Sequence, residues 1–153
     1  MGRSNLLLKM ELLSNPETLC AVRGALGQLA EKLGFSEPEC RAIVLAVDEA
    51  LTNIIRHAYG GDTDKPIEAY FRRVQDSRNG TLSEALEIVL EDRGVAVDGA
   101  KLCGRALEDV KPGGLGLHFI HQSMDKVEFR RKIGRNQVRL VKFILVSEPR
   151  KGS

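Results

Sequence analysis

Between Ser36 and Gly61 apolar side chains recur every three or four residues, at Cys40, Ile43, Val44, Val47, Leu51, Ile54, Ile55 and Ala58. At about 100° per residue this spacing draws one continuous stripe along a helix, and such a stripe has to be buried against a second layer. Ser36 and Glu39, three residues apart, form a capping box that starts the helix, and Gly60-Gly61 ends it. Glu49 and Asn53 are four apart, which makes them neighbours roughly 6 Å apart along the axis, on a face turned away from the stripe. Taken alone, a Glu and an Asn in that place read as a solvated face. Ala42, Ala46 and Ala50 flank it, however, and leave room for a ligand to lie against it.

The rest of the chain supplies the second layer. Asn5 to Leu13 is a short apolar run that reads as a strand at a sheet edge, and Asn15-Pro16 opens a helix whose buried stripe is Leu19, Val22, Leu26, Leu29, Ala30 and Leu33. Beyond the loop from Gly60 to Pro66, Ile67 to Val74 and Leu86 to Glu91 read as a hairpin joined by a polar connection from Gln75 to Thr81. Asp92 to Gly114 is irregular and glycine-rich. Leu115 to Met124 reads as a helix, and Lys126 to Lys132 and Gln137 to Val146 as two closing strands about a turn at residues 133–136. Strands and helices do not alternate strictly, which argues for an α+β two-layer sandwich with a largely antiparallel sheet. A chain of 153 residues fits one domain, here residues 1–147, followed by a disordered tail at 148–153.

Composition narrows the function classes. A net charge of +2 with 29% charged residues gives no surface of one sign for nucleic acid. Cys20, Cys40 and Cys103 are well separated and contain no Cys-x-x-Cys pair, so neither a disulfide framework nor a structural zinc site is expected. No signal core or membrane-length apolar run is present, and the expected location is the cytoplasm.

Three stretches carry candidate chemistry. The first is the Glu49/Asn53 face. The second, Asp92-Arg93-Gly94, follows a strand and is equally a common turn at a strand end. The third is Pro112-Gly113-Gly114-Leu115-Gly116-Leu117, directly before a helix, where backbone N–H groups and the helix dipole favour an anion; an ordinary loop-to-helix turn has the same composition. This glycine cluster lacks the Lys-Ser or Lys-Thr of a Walker loop and the βαβ setting of a dinucleotide fingerprint.

In this order the three motifs resemble the Bergerat-fold ATPases, the group that includes gyrase, histidine kinases and mismatch-repair ATPases. Within it the chain is most similar to the bacterial anti-sigma-factor serine/threonine kinases of partner-switching systems. The likeness lies in Asp48-Glu49-Ala50-Leu51-Thr52-Asn53, in Pro112 to Ile120, and in Met124-Asp125-Lys126-Val127. It implies that Asn53 ligates Mg²⁺, that Glu49 is the general base, that Asp92 accepts a hydrogen bond from the adenine amino group of ATP, that Gly94 lets the chain turn under the base, and that Gly113, Gly114 and Gly116 offer amides to the phosphates. Between Asp92 and Gly113 the candidate for the cation at the γ-phosphate is Arg105, with Lys101 and Lys111 as the lysines of the segment.

By the same resemblance the protein phosphorylates a small anti-anti-sigma antagonist, has a sigma factor as its other partner and forms a homodimer, with Leu6-Leu7-Leu8 as a surface that a second chain could cover. The alternatives are a module that sequesters a partner without transferring phosphate, and an ATPase domain of a phosphorelay. His118 and His121 could share a metal but lack a third ligand at suitable spacing. The basic run Arg130-Arg131-Lys132 with Arg135 and Arg139 reads as a nucleic-acid patch or, better, as a solvated sheet edge.

Overall fold

A computed structural model describes residues 5–96 and 120–145 of the chain. Five strands form one sheet: β1 (Leu6–Leu13), β2 (Pro66–Arg78), β3 (Thr81–Asp92), β4 (Lys126–Lys132) and β5 (Arg135–Phe143), in the order β1-β2-β3-β5-β4 with every neighbouring pair antiparallel. A 3₁₀ turn (Pro16–Thr18) leads into α1 (Leu19–Lys32), and α2 (Glu37–Asn53) continues without a break into a π-helical turn, Ile54–Ala58. This is the α+β two-layer arrangement with an antiparallel sheet. The proposed tail and the segment from Val97 to Phe119 lie outside the described residues.

The cap and the stripe of α2 are as the sequence implies. Ser36 Oγ accepts from the Glu39 N–H and Glu39 Oε1 accepts from the Ser36 N–H, satisfying two of the orphan amides of the first turn. Ile43, Val47, Leu51, Ile54, Ile55 and Ala58 are buried, in one cluster with Val22 and Leu26 of α1 and with Ile67, Phe71, Leu86, Ile88, Leu90 and Leu140 of the sheet. Each such Val, Leu, Ile or Phe contributes about 1.5–3 kcal/mol on leaving water. Ala46 and Ala50 belong to this core, at 0% and 3% exposure, so they do not flank an open face as the spacing alone suggested.

Two turns are tighter than the sequence reading, and β5 ends at Phe143 where the sequence reading ran to Val146. Residues 75–81 are not a loop: β2 and β3 extend to Arg78 and Thr81, and the turn is the pair Asn79-Gly80, both at positive φ (51° and 82°), the combination that matches the twist of a two-residue hairpin. Likewise Lys132 pairs with Arg135, so the β4–β5 turn is only Ile133-Gly134 and β5 begins at Arg135. The two sheet edges contrast. β4 is dense in Lys and Arg, which discourages pairing with other chains. β1 is not: Leu8, Met10 and Leu12 pack on the core, whereas Leu6 and Leu7 are exposed and the register slips between Leu6 and Leu8.

The sheet face away from the helices carries an ion network in which Arg139 donates to Glu87 and Asp76, both at 2.7 Å, and Lys126 donates to Asp76 at 2.8 Å. Those two cations hold the Asp76 carboxyl down at about 2. Arg135 lies 3.6 Å from Glu91, so two residues of the basic set, Arg135 and Arg139, are neutralised locally.

Candidate functional site

Glu49 and Asn53 stand on the last turns of α2, both half-buried, and the side chain of neither one bonds to another described residue. Asp48, beside Glu49, is committed elsewhere: Arg23 of α1 donates to it at 2.6 Å. Immediately after Asn53 the backbone widens into the π turn, a local insertion that often marks a functional segment. The turn closes with Tyr59 N–H on the Ile54 carbonyl and Gly61 N–H on the Ile55 carbonyl, and Gly60 and Gly61 take φ of 61° and 90° to release the chain.

The end of this turn is bound to the end of β3. Val95 N–H donates to the Ala58 carbonyl at 2.9 Å, and Arg93 N–H donates to the Tyr59 hydroxyl at 2.8 Å. That hydroxyl in turn donates to the Pro66 carbonyl, so one buried phenol ties the π turn to β2 and β3. Burial pushes the Tyr59 hydroxyl pKa up and keeps it a neutral donor.

Gly94 fits between these elements because it has no side chain. A Cβ there would lie 2.2 Å from the Ala58 carbonyl oxygen and 2.5 Å from its carbon. Its φ is not positive, so what demands a glycine here is the close approach to Ala58, while the chain also bends at this residue.

Asp92, at 2% exposure, is the buried acid of the site. Its Oδ1 accepts from Gly94 N–H at 2.9 Å and from Asn136 Nδ2 at 2.8 Å. Burial raises its pKa above the ordinary carboxylate value, against the lowering effect of those two donors and of the nearby Arg131. Among the described residues both hydrogen bonds fall on Oδ1, and Oδ2 remains as an acceptor for an incoming donor.

The structure therefore joins the first two motifs: the helix that carries Glu49 and Asn53 runs into the turn that holds the segment after Asp92. Gly113, Gly114, Gly116 and Arg105, with Lys101, Lys111 and His118, lie outside the described residues, and His121 is exposed. Tyr59, Arg131 and Asn136 complete the Asp92 neighbourhood and were not assigned to it from the sequence.

Residues 12–142 match the model of the histidine kinase-like ATPase domain family. Among curated proteins the chain is 28% identical over 146 residues to a protein named serine-protein kinase RsbW from Bacillus pumilus, covering 90% of this chain and 86% of the relative. It is 30% identical over 129 residues to the protein of the same name from Listeria innocua, covering 79% and 77%. Two solved structures share the fold. The RsbU and RsbW domains of a Mycobacterium tuberculosis protein superpose with a TM-score of 0.62 at 18% identity, over 89% of this chain and 32% of that one. A chain of the SiaB-SiaC complex from Pseudomonas aeruginosa gives 0.60 at 15% identity, over 91% and 90%.

Proposed function

The chain belongs to the histidine kinase-like ATPase domain family, and on that premise we propose that it is an ATP-dependent serine/threonine protein kinase. Its substrate is a small anti-anti-sigma antagonist, and it acts as an anti-sigma factor with a sigma factor as its other partner. The observation that carries this reading is the direct backbone link, Val95 N–H to Ala58 carbonyl, between the buried Asp92 segment and the helix of Glu49 and Asn53. The curated relatives named as serine-protein kinases, matched over most of both chains, support the choice of a protein hydroxyl as acceptor.

The chemistry assigns one task to each side chain. Asp92 offers a carboxylate oxygen to the adenine amino group. The Asn53 carboxamide oxygen is a hard ligand that suits Mg²⁺, an ion that takes oxygen donors and fills its remaining positions with water and phosphate. When bound, that ion neutralises charge on the phosphates. Glu49, one helical turn from Asn53, takes the proton from the serine hydroxyl as its oxygen bonds to the γ-phosphorus and the bond to the β-phosphate oxygen breaks.

Asp92→Asn tests the nucleotide part. The single amide oxygen would be held by the Gly94 and Asn136 donors, so the NH₂ would face the adenine amino group, donor against donor. Calorimetry should show ATP affinity lower by about ten- to a hundredfold, the usual worth of a hydrogen bond to a charged group. Wild-type protein that takes up no Mg-ATP would remove the reading altogether. For assembly, the exposed Leu7 on the β1 edge of the sheet supports a homodimer. Sedimentation should give a dimer for wild type and a monomer for Leu7→Lys; a wild-type monomer at micromolar concentration counts against it.

A further inference from the structure

Asp92, Asn136 and Arg131 are consecutive members of one row across the sheet: Asp92 of β3 is paired with Asn136 of β5, and Asn136 with Arg131 of β4. Three adjacent strands thus bring together residues that are 44 and 5 positions apart. Their side chains are linked in the same order. Asn136 Nδ2 donates to Asp92 Oδ1 and to the Val95 carbonyl, both at 2.8 Å. Arg131 Nη1 donates to Asn136 Oδ1 at 3.0 Å and to the Gly94 carbonyl at 2.9 Å.

The partners settle which way the carboxamide points, because a carboxylate and a carbonyl can only accept and a guanidinium can only donate. The row is therefore directional, running from cation to amide to carboxylate. Arg131 is the one member on the surface, and it reaches inward from a sheet edge. It makes no ion pair with any described carboxylate, although Glu128 lies on the same strand. Its hydrogen bonds instead go to two neutral oxygens, one on β5 and one in the segment that follows Asp92.

We propose that Arg131 is a positioning residue for base recognition: acting through Asn136 and Gly94, it holds Asp92 Oδ1 occupied and Oδ2 turned out to the exocyclic amino group of the purine. Two physical effects combine. A charge-assisted bond on Asn136 Oδ1 makes its Nδ2–H a stronger donor to Asp92, since hydrogen bonds in a chain polarise one another. The same guanidinium pins the Gly94 carbonyl, which keeps the Gly94 N–H aimed at the carboxylate. Its positive charge also helps to keep the buried Asp92 ionised, in the form that can only accept.

This inference rests on the reading of Asp92 as the adenine acceptor, and the experiment separates the two. Affinities for ATP and for purine riboside triphosphate, which lacks the amino group, are measured by calorimetry for wild type, Arg131→Ala and Arg131→Lys. Wild type should prefer ATP by roughly ten- to a hundredfold. Arg131→Ala should bind purine riboside triphosphate as wild type does but lose about three- to tenfold in ATP affinity, so the preference shrinks. Arg131→Lys, which keeps the charge and can donate to one or both oxygens, should recover part of it. A role confined to stability would weaken both nucleotides equally, so an unchanged preference in Arg131→Ala overturns the proposal while the Asp92 reading stands. A wild type with no preference overturns the Asp92 reading, and the proposal with it.

Discussion

Glu49→Gln should bind ATP as wild type does and transfer phosphate about 10²- to 10⁴-fold more slowly, the usual contribution of a general base. The substitution is isosteric, and Glu and Gln have nearly the same helix propensity, so α2 should keep its geometry. No described residue bonds to the Glu49 side chain, so the substitution breaks no hydrogen bond among the described residues and the effect should fall on chemistry. Asp48 cannot take over the role because Arg23 holds it at 2.6 Å. Since phosphoryl transfer passes through a loose transition state in which the attacking hydroxyl has given up little of its proton, the loss should lie near the lower limit. Single-turnover rates beside calorimetric affinities decide it: equal transfer by the two proteins would remove Glu49 from the mechanism.

Gly94→Ala should destabilise the protein by about 2–4 kcal/mol, lowering the melting temperature by roughly 5–15 °C. The new methyl would meet Ala58 O at 2.2 Å and Ala58 Cβ at 2.7 Å. The obstacle is largely the backbone of the π turn, with no flexible side chain that could move aside. Relief would require parting the β3 end from the π turn, which breaks the Val95–Ala58 bond and displaces the Asp92 carboxylate, so ATP affinity should fall as well. Gly24 is the control. It lies on the exposed side of α1 with nothing within 4 Å of its added Cβ, and Gly24→Ala should stabilise by about 0.5–1 kcal/mol. Thermal melts of the two variants should therefore move in opposite directions. A Gly94→Ala protein that melts with wild type would show that the two backbones do not meet as described.

What could be read from the sequence was what short-range physics determines. The Ser36–Glu39 box, the α2 stripe and the glycine stop at residues 60–61 depend on neighbours within one or two turns, and each one stands in the structure. Gln75 to Arg78 misled because those residues are exposed or half-buried: with solvent on both sides, a strand carries no alternation to detect. The Asn79-Gly80 pair was the signal that should have outweighed their polarity. Ala46 and Ala50 were placed by their small size beside the polar face, whereas burial depends on what the sheet presents to them. Nothing in the sequence tied Asn136 and Arg131 to Asp92. Their link arises only from the register of three strands, which no local spacing encodes. Beside the bend that its motif suggested, Gly94 has a second role that no local spacing encodes, the contact with Ala58.

Movement of phosphate from ATP to a protein hydroxyl can be followed directly. Wild-type protein in excess is mixed with γ-labelled ATP, Mg²⁺ and a serine-bearing antagonist of the anti-anti-sigma class, and label on the antagonist is followed over a single turnover. The account predicts label on one antagonist serine, and none when that serine is replaced by alanine. ATP bound with full affinity while the antagonist stays unlabelled would contradict the account and leave a module that works by sequestration.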